Sequence, residues 1–224
     1  MKRPADDAPA YIAPPPPYPP HRIYPMRLNS PLCRAPVAML AFLALPACIS
    51  LGPKAPDMLL TLSAASAPVA SADARTGTAA AALTIIAPTT PAKLRTPRVP
   101  VQTGATTIAY VQDAQWVEAP ARLFQRLLSE TIAAQGTRMI LDDSQYAPPT
   151  GEVLTGQLLD FGVNADSMQV VVVFQAERIS GDAVAQRRFE SREPISAVEP
   201  ALIGAALNRA ANRVAADVSQ WVAR

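Results

Sequence analysis

The sequence predicts an α+β fold in which two amphipathic helices pack on a mixed, mostly antiparallel sheet. Two observations support this prediction. Apolar residues recur at helical spacing in two separate segments, and between these segments lies a long stretch rich in β-branched residues and broken by short polar turns. The folded part is expected to cover residues 82–224. Its length of about 140 residues suffices for a single hydrophobic core.

Two strands are predicted before the first helix. Residues 83–87 and 106–111 are rich in the β-branched and aromatic side chains that strands favour. The prolines that follow the first of these predict an irregular chain over residues 88–100. Polar residues 112–115 predict a turn. An isolated apolar segment at residues 58–62 is left open as a further strand that pairs with the domain.

The first helix is predicted shortly after Trp116. Pro120 suits the first turn of a helix, and Gly136 suits its C-terminal cap. Between them apolar residues recur every three or four positions, so we expect an amphipathic helix of about 17 residues. Its apolar positions are Leu123, Phe124, Leu127, Leu128 and Ile132.

Four strands and a second helix complete the predicted domain. Residues 170–174 are apolar throughout, which predicts a central strand covered on both faces. The last strand alternates polar and apolar residues, which predicts an edge or a solvated face. The four strands cover residues 139–141, 153–163, 168–179 and 183–192. The second helix covers residues 198–221, with Ile203, Leu207, Ala210, Val214, Val218 and Trp221 facing the core.

An apolar run near the start of the chain predicts export. Residues 35–48 are largely apolar, and Arg27 and Arg34 supply the basic residues that a secretory signal needs at this end. The run is too short to cross a bilayer, which takes about 20 apolar residues. It ends in the sequence Leu45-Pro46-Ala47-Cys48.

This ending resembles the lipobox of bacterial lipoproteins, in which Leu45, Pro46 and Ala47 precede the modified Cys48. The resemblance implies that the Cys48 thiol receives a diacylglycerol, that the leader is cut before Cys48, and that the new amino terminus is acylated, for example with palmitate. A secreted protein that is cleaved nearby and carries no lipid is the alternative.

The chain is therefore expected to divide into four parts. Residues 1–25 are a Pro-rich, disordered extension, and residues 26–47 are the lipoprotein signal peptide. Residues 48–81 are an Ala/Ser/Pro-rich tether to the domain at 82–224. Because Met26 and Arg27 would start a leader of ordinary length, we expect translation to begin at Met26 and residues 1–25 to be an over-extended start.

Removal of the leader changes what the composition implies. Residues 48–224 keep 15 of the 20 basic and 16 of the 18 acidic residues, so their net charge is about −1. Nucleic acid is therefore not an expected partner. His21 and Cys33 lie in the removed part. Without histidine or a free cysteine, Ser-His-Asp and Cys-His catalysis and zinc sites are excluded, and we expect neither an enzyme nor a cofactor or metal.

Four short motifs resemble those of the ABC-type transport auxiliary lipoproteins, over roughly residues 58–221. They are Leu60-Thr61-Leu62, the sequence at residues 108–111, the segment at 113–120 with Trp116 four positions before Pro120, and the pattern from Leu154 to Phe161. The resemblance implies an outer-membrane accessory lipoprotein that docks a lipid transport system, with phospholipid as the cargo.

The implied partners are a periplasmic mammalian-cell-entry-domain protein and its ABC permease and ATPase. Ile49 is not the Asp usually associated with retention in the inner membrane, so the resemblance implies a lipid-anchored protein in the outer membrane that faces the periplasm. A homo-oligomer is left open. Two other functions also stay open: an envelope-assembly lipoprotein that chaperones or plugs an outer-membrane β-barrel, and a periplasmic hydrolase that uses a carboxylate pair.

Four residues are candidates for the partner interface: Trp116, Arg187, Arg188 and Arg192. Each has a structural alternative. Trp116 suits a core position at the start of the first helix, and the three arginines suit a solvated edge strand that resists pairing with other chains.

Overall fold

The computed structural model describes residues 58–66, 76–136, 138–142 and 151–224. These belong to one compact unit, Pro53–Arg224. Eight strands and two helices follow one another in the order β1–β4, α1, β5–β8, α2. The strands are β1 Leu59–Leu60, β2 Leu83–Ile85, β3 Arg98–Gly104, β4 Thr107–Trp116, β5 Ile140–Asp142, β6 Glu152–Asn164, β7 Gln169–Ser180 and β8 Ala183–Pro194; the helices are α1 Pro120–Ala133 and α2 Pro200–Val222.

Strand β6 is the centre of the sheet. Along one side it pairs antiparallel with β7, which in turn pairs antiparallel with β8. Along its other side it pairs in parallel with β2 at its beginning and with β3 at its end. Beyond β2 lies β5, and beyond β3 lie β4 and then β1. The sheet is therefore mixed and mostly antiparallel, as predicted, and β1, β5 and β8 are its outer strands.

Two sequence features favour helix α1: a proline at its start and apolar residues at helical spacing after it. Pro120 occupies the first helical turn, and the residues at helical spacing turn one face toward the sheet. All five predicted apolar positions of α1 are buried. Each such side chain contributes roughly 1.5–3 kcal/mol by leaving water. The helix ends at Ala133, and Gly136 follows with a φ of 70°.

Helix α2 lies beside α1 and packs on β7 and β8. Ile203, Leu207, Ala210, Val214 and Val218 are fully buried, and Trp221 is partly buried against the same core. Aromatic rings join the helices to the sheet. Phe124 on α1 lies 5.2 Å from Phe174 and 6.5 Å from Phe161, measured between ring centroids.

The prediction of an irregular chain over residues 88–100 is wrong at its end, because β3 begins at Arg98 and includes Pro100. Pro100 lies at a shift in the β3/β4 register, where the ladder of hydrogen bonds is already interrupted. A residue without an N–H therefore costs no ladder bond there. Gly162 of β6 leaves room for it, since a Cβ at Gly162 would lie 2.5 Å from the Pro100 carbonyl oxygen.

The predicted turn over residues 112–115 is also wrong. Strand β4 continues to Trp116, and the extra residues form a bulge opposite a much shorter stretch of β3. Asp113 takes a φ of 54° in this bulge. Asp tolerates this left-handed conformation better than most residues, which explains how a polar sequence typical of a turn fits inside a strand. The strand left open at residues 58–62 is present as β1.

Candidate functional site

The predicted lipidation site and lipobox, Cys48 with Leu45, Pro46 and Ala47, lie outside the described residues. The described part of the chain begins at Met58.

Trp116 lies in the core at the end of β4. It is 2% exposed, and its ring centroid is 5.3 Å from that of Phe161. No described residue accepts a hydrogen bond from its indole Nε1. A side chain this buried has no surface to offer a partner, so the geometry agrees with the core role for Trp116 rather than with the interface role.

The three candidate arginines all lie on β8, which pairs only with β7 among the described strands. They do not share a face. Arg187 points to the helix side, where its guanidinium lies 5.1 Å from the centroid of the Phe189 ring. Arg188 and Arg192 point to the opposite side, and their guanidinium groups lie 3.5 Å and 2.6 Å from the carboxylate of Glu190.

These contacts make β8 a charged edge. The hydrogen bond from Arg192 holds the pKa of Glu190 below its ordinary value, and the bond from Arg188 adds to the effect. A shallow pocket of about 300 Å³ lies between β8 and the end of α2, and the side chains of Arg187, Asp217 and Arg224 contribute to its polar lining. Opposite charges mixed in this way suit a solvated edge or a polar contact with another protein.

A second charged group joins the sheet to the end of α2. The carboxylate of Glu152 lies 2.7 Å from Arg138 and 2.8 Å from Arg178, and Arg178 also donates a hydrogen bond to the carbonyl oxygen of Trp221. The neighbours of this carboxylate are arginines rather than a second acid. It therefore holds elements together and does not form the carboxylate pair that a hydrolase would need.

The segment after β1 is held on α2 by two asparagines, one helical turn apart. The backbone N–H of Ser63 donates to Asn208 Oδ1 over 2.9 Å, and that of Ala65 donates to Asn212 Oδ1 over 2.7 Å. Asn212 Nδ2 donates back to the carbonyl oxygen of Ser63 over 2.9 Å. We call Asn208, Asn212 and the bonded residues 63–65 the asparagine clamp.

Gly204 completes the contact one turn earlier on α2. A Cβ at Gly204 would lie 2.8 Å from Leu60 Cδ2, so the absence of a side chain lets β1 lie close to the helix. Leu60 is buried and joins the main core. These positions are not among the residues predicted from the sequence. The available signal was the spacing of Gly204, Asn208 and Asn212, which repeats every four residues along one helix face.

No helix in the described part of the chain has the length and apolar character needed to span a membrane. No group of three or more His, Cys, Asp or Glu side chains is arranged to hold a metal ion in that part of the chain.

Comparison with solved structures places the fold. A crystal structure of protein XCC0632 from Xanthomonas campestris, of the family described as DUF330, matches with a TM-score of 0.57 at 17% identity, over 75% of this chain and 93% of that chain. A crystal structure of an uncharacterised protein matches with a TM-score of 0.56 at 14% identity, over 64% of this chain and 93% of the other. At these identities the likeness concerns the fold alone.

A PelC dodecamer from Paraburkholderia phytofirmans also matches, at 12% identity over 67% of this chain and 94% of that chain, but the TM-score of 0.32 is too low to carry an argument about assembly. No curated protein matches the sequence.

The family comparison is more specific. A family model described as "ABC-type transport auxiliary lipoprotein component" matches residues 60–219. The match begins inside β1 and ends in the last turns of α2, so it covers the sheet, both helices and the asparagine clamp. The description implies association with an ABC transporter and, as a lipoprotein, anchoring to a membrane. This chain belongs to the family of ABC-type transport auxiliary lipoprotein components.

Proposed function

We propose that this protein is a lipid-anchored docking component of an ABC-type phospholipid transport system, held in the outer membrane by acylated Cys48 and facing the periplasm. One observation carries the proposal: the family match covers the folded domain from β1 to α2. Cys48, which ends a lipobox-like sequence, precedes the start of this match by 12 positions.

The physical need for such a component follows from the solubility of phospholipids. Each CH₂ group of an acyl chain costs about 0.8 kcal/mol in water, so a lipid crosses the periplasm only inside an apolar conduit. A mammalian-cell-entry-domain protein with its ABC permease and ATPase would supply that conduit. A domain tethered to the outer membrane raises the local concentration of the docking site at its far end.

The domain suits docking better than catalysis. Its buried carboxylate Glu152 is neutralised by two arginines, and its charged groups on β8 lie on an open edge. We place the contact with a protein partner on β8, where Arg187, Arg188 and Arg192 are exposed. Charged groups at the rim of an interface set the orientation of the partner more than the affinity.

Affinity purification tests the function. The tagged protein is recovered from detergent-solubilised envelopes, and bound proteins are identified by mass spectrometry. We expect a mammalian-cell-entry-domain protein with its permease, and we expect less of both with Arg188→Glu combined with Arg192→Glu. Recovery of an outer-membrane β-barrel without any transporter component would contradict the proposal and favour an assembly lipoprotein.

Cell fractionation tests the anchor separately. Cys48→Ala should leave the domain folded but release it from membranes, while Cys33→Ala, the matched control upstream of the cleavage site, should remain in the outer membrane. If the Cys48→Ala protein still floats with outer-membrane vesicles, the anchor assignment is wrong.

A further inference from the structure

Most of the exposed large apolar side chains lie on or beside three elements of the described structure: β1, β4 and the start of α2. Seven large apolar residues are exposed, and six of them lie on β1, on β4, directly after β4, and around the start of α2. We call these six the apolar patch: Met58, Leu59, Ile108, Val117, Val198 and Leu202. The seventh, Val184, lies on β8 at the opposite edge of the sheet. Contiguous exposed apolar patches mark interaction surfaces in soluble proteins.

The pairing of β1 with β4 explains why part of this patch is exposed. Leu60 pairs with Trp116, and both side chains point into the core. Side chains alternate along a strand, so Leu59 on β1 and Val117 after β4 point to the other face. Their exposed fractions are 51% and 50%.

A groove connects β4 to the start of α2. It has a volume of about 450 Å³ and is lined by apolar side chains of β3, β4 and the start of α2, and also by Gln112 and Asp113. Beside it, the guanidinium of Arg98 lies 4.3 Å from the centroid of the Tyr110 ring. An apolar surface bordered by a tyrosine and an arginine is typical of groups that sit at the boundary between lipid headgroups and acyl chains.

We propose that the apolar patch rests on the surface of the bilayer to which Cys48 is anchored. This inference depends on the proposed lipidation of Cys48. Residues 49–57 separate Cys48 from Met58, and the ten residue steps from Cys48 to Met58 span at most about 36 Å. Met58, at the β1 end of the patch, therefore lies within this distance of the anchored residue, whereas β8 lies five strand spacings of about 4.8 Å, or about 24 Å, from β1 across the sheet.

The asparagine clamp keeps this distance short. Without the contacts of Asn208 and Asn212, residues 63–65 would leave α2, and β1 would be held by its two pairs to β4 alone. The spacer would then extend beyond residue 66, and the patch would spend more time away from the bilayer because the effective concentration of a tethered group falls with spacer length.

Depth-dependent quenching of a fluorescent label tests the inference. The processed chain has Cys48 as its one cysteine, and acylation blocks it, so an introduced cysteine is labelled uniquely. Val117→Cys and Val184→Cys are matched variants, since both replace an exposed valine at opposite edges of the sheet. Each full-length lipidated protein is labelled with bimane and reconstituted in phosphatidylcholine vesicles with and without a lipid that carries a doxyl quencher near the headgroup.

We expect the doxyl lipid to remove at least about half of the fluorescence at position 117 and little at position 184, because a group in the interfacial layer lies within roughly 5–10 Å of the headgroup boundary. Adding Asn208→Ala with Asn212→Ala should reduce the quenching at 117. Adding Arg209→Ala with Arg213→Ala, which alters the same helix on another side, should not.

The outcomes separate this inference from the proposed function. If the vesicles float without the protein, the lipid anchor is wrong and this inference falls with it. If the protein floats but positions 117 and 184 are quenched equally or not at all, only this inference is wrong. Disulfide formation between copies at position 117 without quenching would assign the patch to a second copy of the chain and would also overturn it.

Discussion

The two outer edges of the long sheet, β1/β4 and β8, are protected by different chemistry. At the β1/β4 edge a two-residue strand covers the end of β4, an asparagine clamp holds the following chain, and several large apolar residues are exposed beside polar residues of β4. At the β8 edge a twelve-residue strand is open along its length, and arginines paired with Glu190 line it.

The difference affects which contacts each edge favours. Charged side chains keep their water at the β8 edge, so pairing with another strand there is opposed. The apolar side chains at the β1/β4 edge gain by leaving water. The two edges therefore differ in the side chains that they expose, apolar at one and charged at the other.

The two tryptophans provide the largest expected contrast. Trp116 is 2% exposed in the core at the β1/β4 edge, whereas Trp221 is partly buried beside Phe189 of β8, at 5.8 Å between ring centroids. We expect Trp116→Ala to lower the free energy of unfolding by about 3–5 kcal/mol, and Trp221→Ala to lower it by about 1–2 kcal/mol. Urea denaturation followed by circular dichroism measures both, and equal losses would contradict the difference between the edges.

Neighbouring residues on α2 provide the next contrast. Asn212 bonds the β1 side, and Arg213 lies 3.0 Å from the carboxylate of Glu193 on β8. Asn212→Ala should cost about 1–2 kcal/mol of unfolding free energy because several hydrogen bonds to backbone groups are lost. Arg213→Ala should cost less than about 1 kcal/mol, as exposed ion pairs do.

Salt distinguishes the two variants further. In 1 M salt the loss for Arg213→Ala should shrink, because exposed charges are screened, while the loss for Asn212→Ala should stay the same. A salt-dependent loss at Asn212 would mean that it does not act through neutral hydrogen bonds.

The charged edge itself is tested by removing its arginines. Arg188→Val combined with Arg192→Val should change the free energy of unfolding by no more than about 0.5 kcal/mol, yet cause self-association that grows with concentration, because an apolar open strand pairs with others. Light scattering measures the association. The matched variant Arg209→Val with Arg213→Val removes the same charge from a helix, and equal association by both variants would show that charge alone, rather than the strand edge, matters.

The smallest expected effect concerns the titration of Glu190. Arg192 and Arg188 lower the pKa of Glu190 in the folded protein. The ion pairs therefore stabilise the fold at pH values above the ordinary pKa of a glutamate, about 4.3. This contribution is lost as the pH falls through the lower pKa of the folded state. Arg192→Ala should raise the pKa of Glu190. Carboxyl NMR titration measures the pKa, and an unchanged value would contradict the pairing.

The parts of the fold that depend on local sequence were predictable. The helices follow from their apolar spacing, Pro120 and Gly136, and the three long strands follow from apolar content and polar turns. Strand β3 was missed because Pro100 argues against a strand, and only a register shift and Gly162 make it fit. The bulge at Asp113 was read as a turn for a similar reason, since its residues are those of a turn.

The candidate site shows the same limit. The exposure of Arg188 and Arg192 follows from alternation along one strand, and the apolar setting of Trp116 agrees with the core alternative. The four-residue spacing of Gly204, Asn208 and Asn212 marks one face of α2, but it does not identify the segment that packs there, because Ser63 and Asn208 are 145 positions apart. Nothing near either residue indicates its partner.

The large separation in sequence also affects when the asparagine clamp can form during folding. The N-terminal part of an exported chain emerges first, and α2 is the last element to emerge, so the contacts of Asn208 and Asn212 with residues 63–65 are among the last that can form. Until α2 has docked, the chain segment that separates Cys48 from the folded part of the domain is long. Once α2 has docked, the described contacts hold the chain from β1 to Ala65 against the domain. On the proposed anchoring, the height of the domain above the membrane would therefore report whether folding is complete.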